Sequence, residues 1–372
     1  MGGPVVITGG GTGGHVFPMQ AISDALRANG LLASDLRFVG SRRGQERALL
    51  SPGDVALTLL PGRGVRRSMR PYDLAVNVAA LLGLVVAMKT AFFLVRRWRP
   101  SVVVSVGGYA SLATGVAAVC WRIPLVLVEF DATPGAAHRL LAHFATKRCC
   151  AFPSEGENVV VTGAPLRKVI EDIERSNESR DCAKRGATPP IDEGRGVVVV
   201  MTGSLGARRV NDAVSDLASR WSTRRDRALL HVSGRRDYEH VLSKSPVLDG
   251  LDYRVMEFGN MVQLWAMCDV AICRAGAMTI AELTELSIPS ILVPLPGAPG
   301  DHQTKNALAV VGGGGAILVP DADCTGEALE SALERLMEPE AMLAAARGAG
   351  ALARHDAASA IADVVLGIRG AS

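Results

Sequence analysis

The sequence predicts an α/β protein made of two Rossmann-like domains whose parallel sheets face a cleft. Three observations predict it. Short apolar runs alternate with helical spacing in both halves, as in parallel sheets with crossover helices. The chain has 372 residues, too many for one ordinary domain. Each half also opens on the same plan of buried strand, glycine turn and helix. In the first half, Val5-Val6-Ile7-Thr8 runs into Gly9-Gly10-Gly11-Thr12-Gly13-Gly14-His15. In the second, Val197 to Met201 runs into Gly203-Ser204-Leu205-Gly206-Ala207.

Composition agrees. Hydrophobic residues make up 48% and aromatics only 4%, so Ala, Val, Leu and Gly fill the cores. Forty Lys and Arg against 37 Asp and Glu leave +3, a balance that does not imply nucleic acid. Basic residues do cluster at Arg63, Arg66, Arg67, Arg70, Lys89, Arg96, Arg97 and Arg99, which points to an anionic surface as partner. The seven cysteines form no CxxC pair and read as reduced, buried, cytoplasmic thiols. No basic stretch leads into an apolar one at the N-terminus, so no secretory leader is expected.

Taken in order, candidate strands are 4–8, 36–39, 56–60, 102–106, 125–128 and 159–162. Helix residues Val16, Met19, Ile22, Ala25 and Leu26 follow the first of them. Residues 171–196 are polar and carry Thr188-Pro189-Pro190, a loop composition. A second series follows, with strands at 197–201, 229–232, 253–255, 270–273, 290–293 and 316–319, and a helix over 210–217. Leu74 to Val95 is long and apolar but holds Asn77, Lys89 and Thr90. It lies inside the first α/β series, where a membrane crossing would split the sheet. A buried crossover helix and an interfacial helix beside Arg96, Arg97 and Arg99 are the competing readings.

The turns carry the chemistry. Glycines let backbone approach a ligand, and the first-turn amides of the next helix attract anions. Gly9 to His15 is therefore a phosphate or diphosphate cradle. Gly9, Gly11 and Gly14 satisfy GxGxxG, yet the second strand ends in Gly40-Ser41-Arg42-Arg43 with no acid. NAD is disfavoured on that ground, while the two arginines keep NADP open. His15 stands where an imidazole can move a proton. Cys273-Arg274-Ala275-Gly276-Ala277-Met278-Thr279 is a second diphosphate device, and Glu282 one turn on can accept from a ribose diol. Asp301 is a candidate N-cap for a helix whose His302, Gln303 and Asn306 suit a hydroxylated ligand. Glu129 and Asp131 are expected in the loop beyond a strand, where their carboxylates diverge.

Several stretches resemble the MurG family of cell-wall N-acetylglucosaminyltransferases. They are Gly9 to Pro18, Val104 to Ser111, Gly163-Ala164-Pro165-Leu166-Arg167, Gly203 to Ala207, Arg274 to Glu282 and Asp301 to Asn306. The resemblance implies a GT-B fold, with residues 1–163 facing acceptor and membrane, 164–350 binding the UDP-sugar, and the C-terminal helix, 351–372, packing back on the first domain. It implies inverting transfer of N-acetylglucosamine from UDP-N-acetylglucosamine to the muramyl 4-hydroxyl of lipid I, giving lipid II. Donor residues would be Thr12, Gly13, Gly14, Asp131, Arg167, Ser204, Phe258, Gly259, Met261, Arg274, Ala277, Met278, Thr279, Glu282, His302, Gln303 and Asn306. Gly11, Thr12, Gly13, Gly14, His15, Gly107, Gly108 and Tyr109 would face the acceptor diphosphate. His15 is the first choice of base and Asp131 the second, with Glu129 beside them. No obligatory metal or cofactor is implied, and divalent-cation stimulation stays open.

The implied partner is undecaprenyl-linked lipid I at the inner leaflet, reached from the cytoplasmic side by a peripheral protein. Leu74 to Phe93, with Trp98 and Trp121, would touch that leaflet, and cell-wall synthesis proteins are further candidates. Two departures stand out. Val128-Glu129-Phe130-Asp131 replaces the usual His-Glu-Gln-Asn, and Leu205 replaces a glutamine. They leave two alternatives open: a related GT-B enzyme with another lipid acceptor, and a non-catalytic UDP-sugar-binding relative.

Overall fold

The computed structural model describes residues 2–10, 13–50, 55–61 and 71–371. It divides into two compact units, Met1–Arg167 with Arg354–Ser372, and Lys168–Ala353. The expected boundaries at 163 and 350 fall slightly before those of the units. Gly11, Thr12, Arg63, Arg66, Arg67 and Arg70 lie outside the described residues.

Unit 1 is built on β1 (Val5–Thr8), β2 (Leu36–Ser41), β3 (Ala56–Leu60), β4 (Val102–Ser105), β5 (Leu125–Glu129), β6 (Lys147–Cys150) and β7 (Val159–Val161). Their order is β3-β2-β1-β4-β5-β6-β7, parallel throughout. Ile7 is central, in register with Phe38 on one side and Val104 on the other. Helices cover both faces, so the central strands read as continuous apolar runs, and Val5, Val6, Ile7, Val103 and Val104 are fully buried. The sequence pattern misses β6. Its Lys147-Arg148-Cys149-Cys150 opens on two charges and shows no apolar run. The Ala357–Gly370 helix packs on the Gly13–Ala28 helix. Entry is tight: a β carbon on Gly163 would stand 2.4 Å from Cβ of Arg354.

Unit 2 repeats the plan with β8 (Gly196–Met201), β9 (Arg227–Val232), β10 (Asp252–Met256), β11 (Val270–Cys273), β12 (Ser290–Leu292) and β13 (Ala316–Leu318). The order is β10-β9-β8-β11-β12-β13, again parallel. The Arg208–Arg220 helix buries Val210, Ala213, Val214, Leu217 and Ala218, one face at helical spacing. These residues meet Val198, Val200, Trp221 and Leu333 in one core. All seven cysteines are unpaired, and five are buried. Burial pushes the thiols of Cys149, Cys150 and Cys268 up to about 12.

The long apolar stretch is the Pro71–Trp98 helix. Ala80, Ala87, Ala91 and Val95 are buried, and small residues such as Ala110, Ala113 and Ala117 of the Tyr109–Cys120 helix meet that face. Leu82, Val85, Val86 and Phe93 are exposed. Among the described residues, no helix is long and apolar enough to cross a membrane. The stretch is thus a crossover helix, and among its described side chains, from Ala80 onward, one side is packed and the other bare. Trp98 and Trp121 are half-buried rather than fully presented. The guanidinium of Arg37 lies 5.3 Å from the Trp98 ring, and that of Arg96 lies 5.2 Å from the Trp121 ring.

His231 on β9 is fully buried between Asn211 Oδ1 and Tyr253 OH, each 2.9 Å from a ring nitrogen. Burial pushes its pKa from 6.5 down to about 3. Below pH 6.5 the unfolded chain therefore binds a proton that the folded chain refuses. Unit 2 loses stability as pH falls from about 6.5 towards 3, and this contribution levels off below. His231→Gln should flatten that slope, read as urea midpoints measured between pH 7 and 4.

Candidate functional site

In each sheet the chain reverses direction beside the first strand, and such switch points open a crevice at the carboxyl ends of the strands. In unit 1 the switch lies between β1 and β4. The turns that follow these strands press on each other. A β carbon on Gly9 would stand 2.3 Å from Val106 Cγ2, and one on Gly108 would stand 2.2 Å from Gly10 O. Gly107 and Gly108 have φ of 99° and 86°, which glycine tolerates. Ser111 ties the two turns together, its hydroxyl donating to Thr8 O at 3.1 Å or to Gly107 O at 2.6 Å. Gly13 N donates to Gln45 Oε1 at 3.1 Å. Gly108 caps the Tyr109–Cys120 helix with no side-chain bond.

His15 stands in the first turn of the Gly13–Ala28 helix, partly exposed. Its ring meets Phe130 edge to face at 5.6 Å between centroids. Its Nδ1 is buried and has no hydrogen-bond partner among the described residues. Burial lowers its pKa, against the pull of Asp131 and then Glu46. The imidazole is consequently neutral near pH 7, as a proton acceptor must be.

Of the two carboxylates expected in the loop, only Asp131 lies beyond β5. Glu129 is the last residue of β5, buried, and its Oε2 accepts from Arg148 Nη2 at 2.8 Å. Asp131 lies beyond the strand, half-exposed, within electrostatic reach of His15. The Tyr109 ring packs against the core of unit 1, so only its backbone remains at the turn. Arg167 lies over Phe17, with Cζ 4.2 Å from the ring centroid.

In unit 2 the switch lies between β8 and β11. The turn after β8 is braced from behind. A β carbon on Gly206 would stand 2.6 Å from Ser233 O, and one on Gly234 would stand 2.4 Å from Gly206 N. Asp237, fully buried, joins Arg208 and Arg236 at 3.2 Å each and accepts from Asn211 Nδ2 at 3.0 Å. Ser204 and Leu205 are left exposed at the tip. After β11, Gly276 caps the Ala277–Glu285 helix without a side-chain bond. The amides of Ala277, Met278 and Thr279 thus form a first helical turn that no cap side chain covers.

Several side chains expected at this end are engaged within the fold. Arg274 Nη1 pairs with Asp321 Oδ1 at 2.6 Å and donates to the carbonyls of Val293 and Pro294. Asn306 is fully buried, with Nδ2 donating to Ala275 O at 3.3 Å. Gln303 Oε1 accepts from Leu295 N at 3.0 Å, and His302 Nδ1 lies 2.8 Å from Pro299 O. Asp301 stands at the N-cap with φ 53°, but its carboxylate accepts from the Thr304 hydroxyl rather than from an amide. Glu282 Oε2 accepts from the buried Trp265 indole at 2.8 Å. Phe258 is 52% exposed beneath Arg235, and Gly259 and Met261 follow it in the same loop. Among the described residues, no group of three or more His, Cys, Asp or Glu is arranged to hold a metal ion.

Comparison with known proteins interprets both ends. The N-terminal domain of glycosyltransferase family 28 matches residues 5–149 and its C-terminal domain residues 197–363. A UDP-N-acetylglucosamine--N-acetylmuramyl-(pentapeptide) pyrophosphoryl-undecaprenol N-acetylglucosamine transferase from Anaeromyxobacter dehalogenans is 35% identical over 97% of this chain and 92% of its own. The protein of that name from Desulforudis audaxviator is 33% identical over 97% of each. The chain belongs to the MurG family of glycosyltransferases. The crystal structure of MurG from Acinetobacter baumannii is similar throughout, with a TM-score of 0.77, 25% identity, and coverage of 98% of this chain and 99% of that one. The GT-B architecture read from the sequence is the one observed.

Two residues could not be anticipated from the sequence. Trp265, which orients Glu282, reads there as an ordinary core aromatic. Arg148, which anchors Glu129, lies on the strand the pattern misses. Backbone contact makes the Gly108 turn intolerant of any side chain. Gly108→Ala should destabilise unit 1 by at least about 1–3 kcal/mol, since it adds positive-φ strain to the clash with Gly10. Gly367→Ala, where a β carbon meets nothing within 4 Å, should instead stabilise by about 0.5–1 kcal/mol. Denaturant midpoints of the two variants check this contrast.

Proposed function

We propose that this chain transfers N-acetylglucosamine from UDP-N-acetylglucosamine to the muramyl 4-hydroxyl of lipid I, with inversion. The observation that carries the reading is 33–35% identity along nearly the whole chain to transferases of that name, and it is supported by a close-packed glycine turn in each unit. Unit 1 takes the acceptor. Its glycine turns hold the diphosphate and His15 accepts the proton of the attacking hydroxyl, a role its neutral ring supports. Asp131 is the alternative base. Glu129, tied to Arg148, supports the site from below.

Unit 2 takes the donor. The ribose diol is bound by Glu282, whose carboxylate the Trp265 indole orients. The leaving UDP gains charge as the glycosidic bond breaks, and the uncapped amides of Ala277 to Thr279 meet it. Arg274 contributes through the fold: its pairing with Asp321 holds the loop after β11 in place.

UDP release from UDP-N-acetylglucosamine should require lipid I. His15→Ala should abolish single-turnover transfer at saturating acceptor yet keep UDP affinity. Glu282→Ala should weaken UDP affinity at least tenfold, about 1.4 kcal/mol, the scale of hydrogen bonds to a charged group. UDP binding without release in the presence of lipid I would mark a non-catalytic relative.

The same reading makes the protein peripheral at the cytoplasmic face of the membrane. The bare face of the Pro71–Trp98 helix carries Leu82, Val85, Val86 and Phe93 beside Lys89, Arg96 and Arg97. Beside it, a groove of about 480 Å³ is lined by Met88, Phe92, Phe93, Ala113 and Val116. An apolar stripe with flanking bases suits an anionic leaflet. Co-sedimentation with phosphatidylglycerol vesicles should fall at least several-fold in the L82E/F93E double variant, while UDP affinity stays unchanged.

A further inference from the structure

A chain of buried polar groups lies beside the Gly107–Gly108 turn, and the transfer reaction as described leaves its histidine unused. Arg148 on β6 holds Glu129 Oε2 at 2.8 Å, and Cys150 Sγ donates to the same oxygen at 3.4 Å. The other carboxylate oxygen lies 4.0 Å from Nδ1 of His138 on the Ala136–Leu141 helix. His138 Nε2 lies 2.9 Å from the hydroxyl of Ser105, the last residue of β4. Glu129, His138 and Ser105 are all buried. A carboxylate beside Nδ1 favours a proton there, which leaves Nε2 to accept from the Ser105 hydroxyl.

This chain ends at the reacting side of unit 1. A β carbon on Gly107 would stand 3.1 Å from Cδ2 and Nε2 of His15 and 4.0 Å from Cε1 of His138. Both imidazoles therefore border the Gly107 turn, near the one place a β carbon there would take, and His138 lies within electrostatic reach of His15. His15 itself has no hydrogen bond at Nδ1 among the described residues, so its ring is placed by packing against Phe130 and the Gly107 turn. Whatever holds that turn holds His15.

We propose that His138 is a positioning residue: anchored by Glu129 and Ser105, it backs the Gly107 turn and thereby sets the His15 ring at the acceptor side. Burial, which outweighs Glu129, lowers its pKa to about 4, so near neutral pH His138 does this uncharged. A neutral ring adds no positive charge beside His15, which has to accept a proton. The inference rests on the reading of His15 as the base, and a register shift of the ring by even 1 Å is enough to cost about 100-fold in rate.

The full-length chain tests it through His138→Ala, His138→Gln and His15→Ala, assayed with lipid I and UDP-N-acetylglucosamine. Active enzyme is counted by UDP binding, and Tm reports folding. His138→Ala should lower kcat about 10–100-fold with the KM for UDP-N-acetylglucosamine unchanged. His138→Gln, whose amide reaches the place of Nε2, should recover most of the loss. The ¹⁵N–¹H signals of the His15 ring should move in the alanine variant and return in the glutamine one. Wild-type kcat in His138→Ala, or equal losses in both variants with His15 signals unmoved, would overturn the proposal. If His15→Ala keeps its single-turnover rate, the base assignment fails instead, and the His15 signals still decide whether His138 places that ring.

Discussion

A β carbon on Gly108 would stand 2.2 Å from the carbonyl oxygen of Gly10, and the organisation of unit 1 depends on that approach. The turns after β1 and β4 can meet only as bare backbone. Their contact brings the start of the Gly13–Ala28 helix beside the start of the Tyr109–Cys120 helix, with Ser111 tying one turn to the other. Unit 2 uses the same physics. Gly206 and Gly234 touch through backbone, and Asp237 with Asn211 stiffens the turn from beneath. Two switch points are thus held open by close-packed peptide rather than by side chains. Polar side chains then act as braces.

Charge is balanced within each unit before a ligand arrives. Glu129 has Arg148, Arg274 has Asp321, and Asp237 has two arginines. A buried charge without a partner is costly, whereas a paired one holds its neighbours in a defined geometry. Helix starts without a capping side chain, at Gly108 and Gly276, leave backbone amides as the remaining source of attraction for anions. His15 and His138 fit this economy of charge as neutral imidazoles, both bordering one glycine turn.

Most strands were legible as apolar runs, because parallel strands covered on both faces carry little else. β6 was not, since half of it is Lys147 and Arg148, and these become intelligible only once Glu129 is seen beside them. The glycine turns were legible as turns that lead from a strand into a helix. The directions of Arg274, Asn306 and Tyr109 were not, because a motif gives a residue type at a position and says nothing of an inward partner such as Asp321 or Ala275. The Pro71–Trp98 helix shows the same limit. Its apolar length was plain, but which residues lie bare depended on where the small residues of the Tyr109–Cys120 helix met it.

By itself the sequence determined the α/β class, the two-unit plan, the family and the positions of the glycine turns. These follow from periodicity and from residues whose backbone freedom nothing else supplies. Only the tertiary structure decided that Trp265 orients Glu282, that Arg148 and Glu129 form one buried pair, and that His138 and His15 border the same Gly107 turn. Such partnerships join residues far apart in the chain. They exist only when strands and helices have been brought to one end of a sheet and water has been driven from between them.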